Sequence, residues 1–145
     1  MRAKVLNDRA ERTYAVIFES GDEVVSTLTR FAESENLTSS RFTAIGAFSD
    51  AVLGYFDWQK KDYERIPVSQ QAEVVSLIGD VALDAERPKI HAHAVLGLRD
   101  GTTRGGHLLE AHVRPTLEVI LTESPNYLKR EFDRESGLAL IRIGE

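Results

Sequence analysis

The run KIHAHAVLGLRDGTTRGGHLLEAHVR, residues 89–114, constrains this chain more than any other stretch. Side chains in a strand alternate between two faces. Taken as a strand, 89–98 sets His91, His93 and Val95 on one face and Ile90, Ala92, Ala94 and Leu96 on the other, which is apolar enough for a core. Asp100-Gly101 and Gly105-Gly106 are turn signals, so the chain is expected to fold back as an antiparallel hairpin. The returning strand carries His107 in phase with Leu109, Ala111 and Val113, and His112 in the opposite phase with Glu110. His107 therefore joins His91 and His93 on one face, and regular pairing keeps His112 away from them.

Three imidazoles on one face form a donor set for a divalent transition metal: Zn²⁺, Fe²⁺, Ni²⁺ or Cu²⁺. Three protein ligands leave a position for water or substrate, the layout of catalytic rather than structural zinc. Glu110, Glu118 and Asp100 are the carboxylates expected to orient an imidazole from outside the ligand set. The two glycines before His107 suit a tight backbone approach. The competing reading gives the histidines ordinary hydrogen bonds on a surface or interface.

Cysteine is absent, which removes disulfides, thiolate nucleophiles and Cys-type zinc sites. The 18 Lys and Arg against 23 Asp and Glu leave a net charge of −5, unfavourable for non-specific phosphate binding. Residues 86–114 are only slightly basic. No apolar run reaches the roughly 20 residues of a membrane span. Residues 1–16 mix charges where a signal peptide needs an apolar stretch, so a cytoplasmic location is expected. P-loop, G-x-G-x-x-G and G-x-S-x-G motifs are missing. Ser49-Asp50 reads as a capped turn in preference to a histidine partner. Phe56 and Trp58 share a face opposite Tyr55 and read as core or subunit interface in preference to a base-stacking surface.

Along the chain, 12–19 reads as a central strand covered on both faces. Ser20 and Glu23 make an S-x-x-E capping box that opens a helix to about Asn36, with Val24, Val25, Leu28, Phe31 and Ala32 on its apolar face. Strands are expected at 42–49, with a bulge at Gly46, and at 51–58, 63–68, 73–83, 89–98, 107–114, 116–122 and 138–143. Pro125 suggests a short second helix over Tyr127 to Asp133. The fold class is α+β: one domain over 1–145, a mostly antiparallel sheet with one main helix and a short second one.

The stretch KIHAHAVLGLRDGTTRGGHLLEAHVRPTLEVIL resembles the plant-and-prokaryote conserved (PPC) domain, with its H-x-H strand, D-G turn, G-G-H-L strand and following E-V-hydrophobic strand. AIGAFSDAVLGYFD at 44–57 and EVVSLIGDVAL at 73–83 resemble the family's earlier strands, so the likeness covers nearly the whole chain. It implies an α+β domain assembling as a homotrimer, with His91, His93 and His107 matching metal ligands, usually of zinc. In plant relatives an AT-hook precedes the domain and grips DNA; this sequence contains no R-G-R-P core.

Three functions follow as expectations. The first is a homotrimeric metal-binding module, with zinc as cofactor and a regulatory role. The second is a protein that binds DNA or a protein partner, acidity being offset by the avidity of a trimer. The third is a zinc-dependent hydrolase or lyase in which the metal activates water. No residue stands out as a general acid.

Overall fold

Alternating apolar residues pair into one large antiparallel sheet. The computed structural model describes residues 1–8 and 11–143, with the backbone alone for 2–8. Its elements are β1 (Arg2–Asp8), β2 (Arg12–Glu19), α1 (Val24–Ser34), β3 (Ser39–Asp57), β4 (Asp62–Val68), β5 (Ala72–Asp84), β6 (Arg87–Gly97), β7 (Thr103–Glu123), β8 (Lys129–Phe132) and β9 (Ala139–Arg142). The pairing order is β1-β2-β7-β3-β5-β8-β9; β4 pairs with β3, and β6 pairs with both β5 and β7. β3, β5, β6 and β7 thus form a closed circuit of hydrogen-bonded neighbours. Every pairing is antiparallel except the single β5–β8 contact at Leu83 and Lys129.

The core lies on the inner face of this circuit, under α1. Tyr14, Val16 and Phe18 of β2 are buried there, whereas Ala15 and Ile17 on the other face are half-buried. β2 is central in its pairing, between β1 and β7, but only one of its faces is fully covered. Val24, Thr27, Leu28, Phe31 and Ala32 form the buried stripe of α1, and Phe31 meets Tyr14 edge to face with centroids 5.3 Å apart.

The strands expected at 42–49 and 51–58 are one strand, β3, and those at 107–114 and 116–122 are one strand, β7. The expected bulge at Gly46 is present, with register breaks on both flanks. Its φ of +153° and close packing require glycine: a Cβ would lie 2.3 Å from the Thr116 carbonyl oxygen. At the far end of the β3–β7 ladder, the buried Glu123 carboxylate accepts the Thr38 amide at 2.8 Å and the Ser40 hydroxyl.

Two expectations fail. The helix runs over 24–34, and its cap is Glu23 itself, whose carboxylate accepts the amides of Val25 (3.0 Å) and Ser26 (2.7 Å). Ser20 instead donates to the Pro115 carbonyl at 3.1 Å, so no capping box forms. The segment expected as a second helix contains β8, and α1 is the only helix among the described residues. Tertiary pairing decides the conformation of that segment: Leu128 bonds to Thr38 and Leu83, and Lys129–Phe132 pairs with Ala139–Arg142 around a turn held by Asp133 and Ser136.

Glu23 also accepts the Ala111 amide at 3.3 Å, which ties the helix start to β7. Burial pushes its pKa up, but the hydrogen bonds from Ser26, Val25 and Ala111 outweigh this and hold it below the usual carboxylate range. Replacing Glu23 with Ala is expected to cost about 1–2 kcal/mol in urea unfolding. Ser20→Ala is expected to stay within about 0.5 kcal/mol of the parent, as surface changes do.

Candidate metal centre

His91 and His93 project from β6, and His107 from β7, where it sits directly opposite His93 in the ladder. The inward parity is as expected, since Ala92, Ala94 and Leu96 are buried. One ligand nitrogen from each of His91, His93 and His107 lies within 4.8 Å of the others. Nε2 of His91 and Nε2 of His93 are 3.2 Å apart. Two nitrogens bound to one tetrahedral zinc at ~2.0–2.1 Å stand ~3.4 Å apart, so this spacing suits a shared ion. Gly106 lets β7 approach β3 just before His107, because a Cβ there would lie 2.8 Å from the Gly54 carbonyl oxygen.

Burial lowers the His107 pKa to about 4, helped by the neighbouring His91 and His93. Burial and His91 also lower that of His93. Neutral imidazoles are the form that binds metal. His107 Nδ1 is buried and has no hydrogen-bond partner, the condition of a donor atom kept for a ligand. Tyr63 of β4 stacks on His107 at 4.5 Å and 28° and fixes the ring plane.

The orienting carboxylate is not among the three expected. Glu110 faces Arg65 at 3.5 Å, Asp100 closes its own turn through Thr102, and Glu118 is exposed opposite Ile17 and Ile45. Asp80 of β5 takes that place. It pairs across the ladder with His91, and its Oδ2 is 3.5 Å from His91 Nδ1. With Nδ1 facing a carboxylate, Nε2 is left to face His93. Arg130 of β8 in turn holds Asp80 through Oδ1, with its guanidinium almost fully buried. Asp80, Tyr63 and Arg130 were missed in the sequence. The β5–β6 register that would reveal Asp80 turns at Ala85 and Glu86, with φ of +48° and +64°, where no Gly or Asn marks the turn.

His112 lies apart from the other three, but not by parity: the β3–β7 register breaks between Leu108 and Glu110, so His107 and His112 share the face opposite the buried Leu108, Ala111 and Val113, and five residues of strand separate them. Its Nδ1 meets Asp50 Oδ1 at 2.8 Å, and Ser49 donates to Asp50 Oδ2 at 2.8 Å. Ser49-Asp50 is therefore a histidine partner, contrary to the capped-turn reading. Phe56 packs edge to face on Trp58 and Tyr63, while Tyr55 and Trp58 are exposed.

Among known proteins, the family model of the Plants and Prokaryotes Conserved (PCC) domain matches residues 6–125. A PPC protein from Pyrococcus horikoshii is 30% identical, with a TM-score of 0.86, over 99% of this chain and 96% of that one. A metal-containing protein from Archaeoglobus fulgidus is 32% identical, with a TM-score of 0.85, over 97% of this chain and 99% of that one. A protein from Ralstonia eutropha JMP134, described as a candidate DNA-binding protein, is 27% identical, with a TM-score of 0.87, over 97% and 96%. No curated protein matches. Among the described residues, no helix is long and apolar enough to cross a membrane.

The Asp50 hydrogen bond raises the His112 pKa, and the same bond lowers that of Asp50. The His112 share of this stabilisation is full below the ordinary value of about 6.5 and is lost as pH rises through the raised value. The Asp50 share is full above about 3.8 and is lost as pH falls through the lowered value. In an NMR titration, His112 is expected to titrate above the ordinary histidine value and to fall back toward it in Asp50→Asn.

Proposed function

This chain belongs to the Plants and Prokaryotes Conserved (PCC) domain family, and on that footing we propose that it is a homotrimeric zinc-binding module held by His91, His93 and His107. The observation that carries the reading is the convergence of three imidazoles, one of them backed by a carboxylate and another with a buried nitrogen lacking any partner. The donor set is all nitrogen, with no thiolate, and suits a borderline ion. The metal-containing relative at 32% identity supports the same conclusion. A bound Zn²⁺ supplies Lewis acidity and lowers the pKa of coordinated water to about 7. In the protein, Asp80 orients His91, Tyr63 holds the His107 ring, and Arg130 holds Asp80.

Self-assembly is supported by the sheet face turned away from the core. Thr43 lies between Ile78 on β5 and Ile120 on β7, and Ile78 pairs with His93 on β6. Ile45, Ile78 and Ile120 are 62%, 56% and 46% exposed, an apolar row that water does not favour. This row runs up to His93, and on this reading the metal lies at the edge of the assembly surface. The description of the Ralstonia relative belongs to that protein, and the net charge of −5 adds no support for DNA binding by this chain.

Elemental mass spectrometry on protein purified without chelator tests the metal. About one zinc per chain is expected, lost in His91→Ala and kept in His112→Ala. Zinc is also expected to raise the melting temperature of the parent and not of His91→Ala. Absence of metal after incubation with Zn²⁺ would overturn the reading. Sedimentation velocity tests assembly: a trimer is expected for the parent and a monomer for Ile78→Lys.

A further inference from the structure

Among the described residues, two buried side-chain polar atoms lack any hydrogen-bond partner: His107 Nδ1 and Arg130 Nε. Buried donors are nearly always paired, so each such atom calls for an explanation. Both residues line the same cavity of about 170 Å³, together with Tyr63, His91, Leu138 and Leu140. The metal centre described above includes the first residue. It leaves out the second.

Arg130 is fixed rather than free. Its side chain is 6% exposed, one terminal nitrogen is held by Asp80, and the other reaches the Ala139 carbonyl at 3.4 Å. Nε is the guanidinium nitrogen left without any partner, on a group that stays charged at any relevant pH. The fixed charges around the cavity favour an anion once the metal is bound. Lys89 is neutralised by Asp84 at 2.6 Å, and Asp80 offsets Arg130. A divalent ion on neutral imidazoles then leaves the pocket positive. The size excludes large ligands, since drug-sized sites run to roughly 300–1,000 Å³. Leu138 and Leu140 give the remaining wall an apolar surface.

We propose that this cavity binds a small monocarboxylate, one oxygen of which accepts the Arg130 Nε–H while its short hydrocarbon end lies against Leu138 and Leu140. The preference for an anion over a neutral isostere rests on the metal reading above; the Arg130 contact does not.

The test is a ¹H–¹⁵N NMR titration of the full chain, zinc-loaded and chelator-stripped, with butyrate and with the neutral butyramide. Zinc content is measured on the same samples. Butyrate is expected to shift the Arg130 Nε–H signal and the Leu138 and Leu140 amides saturably in the zinc-loaded protein, at least tenfold more tightly than butyramide. Leu140→Trp, which fills the pocket from a partly exposed position, is expected to weaken butyrate at least tenfold with zinc per chain unchanged. Arg130→Lys, which keeps the charge and removes Nε, is expected to weaken butyrate at least tenfold in metal-free and zinc-loaded protein alike while retaining the parent's circular dichroism spectrum. Zinc uptake without a saturable butyrate shift at Arg130, or equal affinity in Leu140→Trp, overturns this inference and leaves the metal reading standing. If the chain takes up no zinc, the metal reading falls. The Arg130 contact is then supported by a butyrate shift in metal-free protein and overturned by its absence.

Discussion

The antiparallel ladder between β3 and β7 organises everything around it, because these strands span 19 and 21 residues and each pairs on both sides. β3 takes β4 and β5 beside β7, while β7 takes β2 and β6 beside β3. The register of the ladder decides which side chains reach the histidine cluster. His107 and His112 are five residues apart on β7, and a register break between Leu108 and Glu110 leaves both on the face away from the core, beside different neighbours. His107 meets His93; His112 meets Asp50. Gly46 and Gly106 are the points at which the two strands come too close for any side chain at that position. A one-residue slip would exchange the core for the outer surface all along β7.

Around the histidines, electrostatics follows from one shared carboxylate. Asp80 faces His91 with one oxygen and Arg130 with the other. A buried guanidinium without a counter-charge is costly, and so is a carboxylate among neutral rings. Each answers the other. The geometry of His91 is thereby coupled to the β8–β9 hairpin, some forty residues away in sequence. Burial keeps His107 and His93 neutral, so the site is prepared for a cation without having to shed protons near neutral pH.

What was readable in the sequence is what depends on period two. The H-x-H strand, the D-G turn, the inclusion of His107 and the Gly46 bulge come from alternation and glycine placement, whereas Gly105-Gly106 lies within β7 opposite Val95 and Ala94, and the register break at Leu108 and Glu110 voids the parity that was to exclude His112. Alternation does not specify which distant strands lie side by side, and there the reading fell short. Asp80 comes into register only through a turn at Ala85 and Glu86, whose side chains advertise no left-handed backbone. Tyr63 arrives on β4, which pairs with the far end of β3. Arg130 lies in a segment whose Pro125 suggested a helix, and contacts with Thr38 and Leu83 overrule that local cue. The S-x-x-E pattern misled in a related way, since Glu23 caps α1 alone and Ser20 is drawn to Pro115.

The three missed residues have a common property: each comes from a different strand and surrounds the histidines without being part of their motif. A histidine motif on two adjacent strands supplies ligand atoms, but the ring orientations, the counter-charge and the cavity wall have to come from elsewhere. β5 contributes the carboxylate, β4 the stacking ring, and the β8–β9 hairpin the guanidinium and the leucines. Metal binding alone needs the first two. The hairpin contributes something the metal does not use: a charged donor left unpaired at the wall of a small cavity. Asp80 serves the histidines through His91, and Arg130 answers its charge, so the ion pair as such follows from the metal centre. The Nε of Arg130, without a partner beside the cavity, does not follow from it, and that nitrogen is what the proposed carboxylate accounts for.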